Sequence, residues 1–206
     1  YIASSLRCPI IMGVANRALS APINIHGDHS DMMGSRDSGW IQIYTENAQE
    51  AYDLVIQAFK IAEDPEVLLP VTVNLDGFIT SHCMEGVEVL EDNEVRRFLP
   101  KRKVNLKIDP EKPLTIGPLC LTDYYFEFKR QQEEAMKDVP NKMKKVGKEF
   151  GKSTGRPYDV LHTYGIEDAE VAVVCLGSTA GTAKVIAEKM RKEGKKVGVV
   201  NLWLYR

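Results

Sequence analysis

The sequence predicts an α/β chain with parallel strand pairing. Three observations carry that expectation. Short, continuous apolar runs stand at "CPIIMGVA" (8–15), "WIQIYT" (40–45) and "VLLPVTVNLD" (67–76), as strands covered on both faces require. An amphipathic helical pattern separates the second run from the third. A further strand–helix–strand pattern begins near Asp168.

The elements follow in order. In "ENAQEAYDLVIQAFKIAED", Asn47 followed three residues later by Glu50 forms a capping-box pattern. Ala51, Leu54, Val55, Ala58, Phe59 and Ala62 then recur at helical spacing, and Pro65 closes the helix. From Val87 to Pro118 the chain turns polar and proline-punctuated, which reads as an extended surface connector. Residues 121–150 read as helical, broken at Pro140, with Lys and Glu forming a solvated face. "GKSTGRPYD" reads as a loop; the spacing of a phosphate loop is absent, because no glycine stands five residues before Gly151. Finally "AEVAVVCLG", "STAGTAKVIAEKMRKEG" and "KKVGVVNLWLY" read as strand, helix and strand. The "GSTAGT" turn is suited either to an anion at a helix N-terminus or to close helix–sheet packing.

Composition narrows the function classes. The 206 residues are 44% hydrophobic with a formal net charge of −2, enough for one sizeable domain or two small ones and without the basic excess a polyanion partner demands. Neither nucleic acid nor membrane is therefore expected as a partner; no apolar run approaches the ~20 residues of a membrane helix, and "YIASSLRCPI" lacks the features of a signal peptide. Cys8, Cys83, Cys120 and Cys175 lie far apart without a CxxC pair, which argues against a zinc or iron–sulfur site built on this chain. Cys8 and Cys175 read as buried thiols in a reducing, cytoplasmic setting. The chain begins at Tyr1 and stops at "VVNLWLYR", inside an apparent buried strand, so a fragment of a longer polypeptide is inferred.

The candidate site is "VANRALSAPINIHGDHSD" (14–31), one arginine, two histidines and two aspartates straight after an apolar run. Ligands of parallel sheets bind beyond the carboxyl ends of the strands, where "NRALSAP" and "DGFITSH" fall. His26, Asp28, His29 and Asp31 have metal-ligand chemistry, but glycine and serine interleave them and no rigid support is evident. In the competing reading Asp28 and Asp31 cap a helix running through "MMGSRDS", with Asp28 the N-cap and the histidines bonding locally. Arg17 leaves a buried strand end, a position from which a guanidinium grips a carboxylate in bidentate fashion or pairs with a local aspartate.

"NRALSAPINIHGDHSD", "GWIQIYTENAQEAYDL", "LLPVTVNLDGFITSH" and "EVAVVCLGSTAGTAK…GKKVGVVNLWLYR" resemble the alpha chains of the pyruvate:ferredoxin oxidoreductase (pyruvate synthase) family, over nearly the whole chain and in the family's order. The stretch 101–165 is the least diagnostic. The resemblance implies that residues 1–118 are the later part of a pyrimidine-type thiamine-binding domain, 119–167 a connector with helices, and 168–206 the start of a transketolase C-terminal-like domain. It implies oxidative decarboxylation of pyruvate to acetyl-CoA and CO2, or the reverse, with ferredoxin as electron partner. The implied cofactors are thiamine diphosphate, Mg2+, 4Fe–4S clusters and coenzyme A, held mainly by other chains or domains, and the implied partners are beta, gamma and delta subunits. The family's substrate-carboxylate arginine falls on Arg17, while Asp28, His29 and Asp31 shape the pocket. No catalytic, cofactor-binding or metal-binding residue is carried over onto this chain; the activating glutamate and a threonine near the substrate belong upstream of Tyr1, so the fragment alone is expected to be inactive. A non-catalytic interface subunit and a transketolase-type thiamine enzyme that does not use ferredoxin remain the alternatives.

Overall fold

The computed structural model describes residues 1–102, 104 and 108–206. After a one-turn helix, α1 (Ile2–Ser5), the strands β1 (Ile11–Asn16), β2 (Ile41–Thr45) and β3 (Val71–Asp76) form a parallel sheet in the order β1-β3-β2. The register pairs Ile11 with Val71 and Asn16 with Asp76, so the polar ends of β1 and β3 lie side by side. β1 and β3 start later than their apolar runs, β3 directly after Pro70 and β1 two residues after Pro9, because proline has no N–H to give the ladder. Between β1 and β2 lies a second short helix, α2 (Ser30–Met33).

The crossover helix α3 (Ala48–Ala62) forms as its pattern requires: the Asn47 side chain accepts the N–H of Glu50 at 2.9 Å, and Leu54, Ala58, Ile61 and Ala62 are buried. Only half of the capping box is made, since the Glu50 carboxylate turns elsewhere. The connector also differs from expectation. It contains α4 (Asp92–Phe98), whose first turn is acidic and last turn basic, matching the helix dipole, with the Glu94 carboxylate accepting the N–H of Glu91. Of that connector, residues 103 and 105–107 lie outside the described residues.

The expected break at Pro140 does not occur. α5 (Tyr125–Thr154) runs through it unbroken, because Ala135, Val139, Met143, Val146 and Phe150 bury one stripe on both sides of the proline. That burial outweighs a local loss of about 3 kcal/mol. The stripe packs against α3, and Phe150 meets the rings of Phe98 and Tyr158 at 5.2 and 6.2 Å.

A second sheet, in the order β4-β6-β5, follows. β5 (Val171–Cys175) and β6 (Val197–Leu202) are parallel and joined by α6 (Thr179–Lys192), while β4 (Leu161–Tyr164) pairs antiparallel with β6 and was not legible beforehand. The residues after β6 return to the first sheet: Tyr44 N–H donates to Trp203 O at 2.8 Å and Tyr205 N–H to Gln42 O at 2.9 Å, so 203–206 run beside β2. Cys8 and Cys175 are half-exposed rather than buried; Cys175 lies on the edge strand β5, where Val171 and Val174 are also open to solvent. No helix among the described residues is long and apolar enough to cross a membrane.

One buried ion pair clamps the loop after α5 onto α3. Arg156 Nε and Nη2 donate to Asp53 at 2.7 and 3.0 Å, and the Tyr158 hydroxyl donates to the same carboxylate at 2.8 Å. Asp53 is fully buried. Replacing it with alanine leaves the buried Tyr158 hydroxyl without its acceptor and Arg156 with only Glu88, and Asp53→Ala should cost about 1–3 kcal/mol, read as a lowered midpoint in chemical denaturation. A change of only a few tenths would show that the clamp is dispensable.

Candidate functional site

The site grows from the carboxyl ends of β1 and β3. After Asn16 the chain doubles back: Ala18 N–H donates to Asn24 O at 3.0 Å, and Gly27 N–H to Gly77 O at 2.9 Å. Gly77 makes the close approach possible. A Cβ there would stand 2.3 Å from Asn16 O and 3.0 Å from Arg17 Cγ, so only glycine lets the Arg17 stem cross the end of β3. Leu19, Ile23, Ile25 and Phe78 form an exposed apolar rim around this crossing.

Asp31 braces the arginine through its backbone. Its Oδ2 accepts the Arg17 N–H at 3.0 Å, and its Oδ1 accepts from Asn16 Nδ2 at 3.0 Å and from Met32 N–H at 2.7 Å. Asp31 therefore does not neutralise the Arg17 guanidinium, which is exposed and makes no ion pair among the described residues. Of the two readings the sequence left open for this arginine, the local ion pair is the one not formed.

Asp28 is not the N-cap of α2. That position is held by His29, and Asp28 Oδ1 accepts the N–H of Ser30 at 2.7 Å instead, just outside the helix. Bonds from Ser30 hold the Asp28 carboxyl below its usual range. Nor does α2 run through "MMGSRDS": Gly34 caps it after four residues, and the Ser38 hydroxyl folds back onto Ser35 O at 2.6 Å to close the following turn. The two histidines diverge. His26 meets the Phe78 ring at 4.8 Å, whereas His29 Nε2–H donates to Asp76 Oδ1 at 2.6 Å. Among the described residues no group of three or more His, Cys, Asp or Glu side chains is placed to hold a metal ion.

Asp76, at the end of β3, was not singled out from the sequence. It is 3% exposed, and its second oxygen accepts the Ser178 N–H at 2.9 Å and the Ser178 hydroxyl. The "GSTAGT" turn thus does receive an anion, and the anion is the chain's own. Burial opposes ionisation of Asp76, but the bonds from His29 and Ser178 prevail and hold its carboxyl low. The signal available in the sequence was an acid closing a largely apolar strand, "VTVNLD", before a glycine.

A second polar joint lies at the end of β2. Lys184 of α6 pairs with Glu46 at 2.5 Å, and the Glu50 carboxylate accepts from Glu46 N–H at 2.7 Å and Trp203 Nε1–H at 2.9 Å. Burial pushes the Glu50 carboxyl up to about 7 in spite of these bonds.

These elements have known counterparts. A family described as pyruvate flavodoxin/ferredoxin oxidoreductase, thiamine diP-binding, matches residues 1–148. The chain belongs to this oxidoreductase family. A second family, pyruvate:ferredoxin oxidoreductase core domain II, matches residues 169–206. "Pyruvate synthase subunit PorA" of Thermotoga maritima is 52% identical over 207 residues, covering 100% of this chain and 53% of the relative. The protein of the same name from Methanocaldococcus jannaschii is 45% identical, covering 100% of this chain and 54% of the relative. The chain spans about half the length of the curated relatives it matches. Among solved structures, a 2-oxoglutarate:ferredoxin oxidoreductase from Magnetococcus marinus with 2-oxoglutarate, coenzyme A and succinyl-CoA bound shares the fold, with a TM-score of 0.66 at 16% identity over 98% of this chain and 38% of that one.

Within this oxidoreductase family member, Glu50 sets a pH dependence whose sign is fixed. Its ordinary value is 4.5 and its folded value about 7, so the folded chain keeps a proton that the unfolded chain has lost. The resulting stability is full below the lower value and vanishes as pH rises through the higher one. Glu50→Gln should flatten the fall in melting temperature between about pH 5 and pH 8 and leave the variant the more stable at the alkaline end. Parallel melting curves for parent and variant across that range would refute the assignment.

Proposed function

We propose that this chain is part of the alpha subunit of a pyruvate:ferredoxin oxidoreductase and contributes the group that grips the carboxylate of a 2-oxo acid, Arg17. The observation that carries the reading is an exposed guanidinium at a strand end, with its backbone fixed by Asp31 and its charge uncompensated by any described acid. A guanidinium so placed gives two parallel donors to an incoming carboxylate. The names of the pyruvate synthase relatives support pyruvate as the 2-oxo acid.

The residues also meet one half of the expected cofactor. Leu19, Ile23, Ile25 and Phe78 present apolar surface suited to a flat ring, and buried Asn16 Oδ1 has no partner among the described residues. Among the described residues no group of three His, Cys, Asp or Glu side chains gathers there to hold a metal ion. On this reading the rim borders the ring end of thiamine diphosphate, while the diphosphate, Mg2+, the 4Fe–4S clusters and coenzyme A fall to other domains or subunits. Bound thiamine diphosphate supplies a carbon nucleophile and electron sink for loss of CO2. This chain's residues do the positioning: Arg17 orients the carboxylate, lowering the entropic cost of attack, and the apolar rim limits water. An exposed cation at the pocket edge suits a group that must leave as CO2, since tight ground-state binding would oppose that step.

We read residues 1–118 as the later part of the pyrimidine-type domain, 119–167 as connector and 168–206 as the start of the transketolase C-terminal-like domain. Beta, gamma and delta subunits, ferredoxin as electron partner and a cytoplasmic location complete the reading. Ile116, Leu119, Leu121, Tyr124 and Phe126 expose a run of apolar surface around the start of α5, which supports association with further chains. In the full complex, Arg17→Ala should raise KM for pyruvate on the order of 30- to 1000-fold, with Arg17→Lys recovering part of the loss because it keeps charge without the fork. An unchanged kcat/KM in Arg17→Ala would sink the reading.

A further inference from the structure

We propose that Asp76 is a positioning residue through which the first turn of α6 holds the Arg17 loop in register. The proposal rests on the reading of Arg17 as the carboxylate ligand and extends it to the unit that follows the first sheet. The contacts form an unbroken path. Ser178 donates its N–H at 2.9 Å, and its hydroxyl, to one oxygen of Asp76. The other Asp76 oxygen accepts from His29 Nε2 at 2.6 Å. Two residues beyond His29, Asp31 holds the Arg17 N–H at 3.0 Å.

Each step is over-determined. Gly177 has φ +62°, and a Cβ there would lie 2.6 Å from Asp76 Oδ1, so the turn reaches the carboxylate only because the residue is glycine. The N-terminus of α6 adds a favourable dipole toward the anion. The His29 ring is held at a second point by the fully buried Tyr44 ring, at 5.0 Å between centroids. With its ring fixed on both sides, His29 cannot swing, and the turn that carries Asp31 is set. Residues 19–27 are otherwise exposed, and few buried contacts hold the loop elsewhere. Such a segment has low local stability unless a specific tie fixes it. Seating of α6 and placement of the carboxylate grip are therefore linked, and Ser178, more than 100 residues along the chain from Arg17, sets substrate capture.

The test uses the complete oxidoreductase complex and variants remote from the pocket. Ser178→Ala removes one donor, and KM for pyruvate should rise about three- to tenfold with kcat within about twofold. Amide hydrogen exchange in residues 17–31 should accelerate while α3 and α5 stay protected. Ser178→Thr keeps both donors and should restore KM. Should Ser178→Ala not accumulate, Asp76→Asn, which keeps the volume and loses the charge, is expected to give the same split. A merely structural role predicts less active enzyme at unchanged KM and unchanged exchange in 17–31, and that result overturns the proposal. The two readings separate cleanly. If Arg17→Ala leaves kcat/KM unchanged but Ser178→Ala loosens 17–31, the carboxylate reading fails and the tie stands. If Arg17→Ala raises KM and Ser178→Ala alters neither KM nor exchange, the tie fails.

Discussion

A carboxylate that is 3% exposed has no water to solvate it, and Asp76 must find its solvation in the protein. It does so by taking donors from two separate parts of the chain, His29 before β2 and Ser178 at the start of α6. Much else follows from that requirement. The sheet carrying β5 and β6 is brought against the carboxyl ends of the first sheet, Gly177 is needed at the contact, and the loop after β1 acquires a fixed point. Charge burial, usually costly, becomes the device that holds two units together.

Among the described residues three buried acids, Glu50, Asp53 and Asp76, meet the same constraint in different ways. Asp53 recruits a guanidinium in a bidentate pair, and the Tyr158 phenol and the Gln49 side-chain amide also donate to it. Asp76 stays ionised on hydrogen bonds from a histidine and a helix N-terminal turn. Glu50, whose neighbours are the Glu46 N–H and the Trp203 indole, has no cation of its own; Lys184 bonds Glu46. Two neutral donors do not offset the desolvation of a full charge, so Glu50, unlike Asp76, is pushed toward its neutral form. The joint at Glu50 is accordingly weakened by mild alkali.

β1, β2, β3, β5, β6, α3 and α6 were legible because each repeats an apolar pattern over at least one full element. α4 was obscured by the prolines that follow it, although "EDNEVRRF" carries the acidic start and basic end that a short helix needs. Pro140 misled for the opposite reason: a local rule was applied where the buried stripe from Ala135 to Phe150 decides. β4 was invisible because "LHTY" is short and has no alternation, and it is specified by the partner edge of β6. At the site, Arg17, Asp28, His29 and Asp31 announced themselves by residue type, but the partners did not. Asp31 on a backbone N–H and Asp76 on Ser178 are long-range bonds that no spacing encodes.

Those partners explain why the Arg17 side chain keeps its charge available in a loop that also carries acids. Asp28 is engaged by Ser30, Asp31 by Asn16 and the backbone of Arg17 and Met32, and Asp76 by His29 and Ser178. Each carboxylate is turned toward N–H and O–H donors of the scaffold, so none folds over the guanidinium. Had any of them done so, a substrate carboxylate would have to displace an intramolecular partner already at high effective concentration. A loop rich in acids thus rigidifies the backbone around Arg17 without neutralising its side chain. That separation, with anions engaged by backbone and cation directed outward, is what a site for a small carboxylate requires.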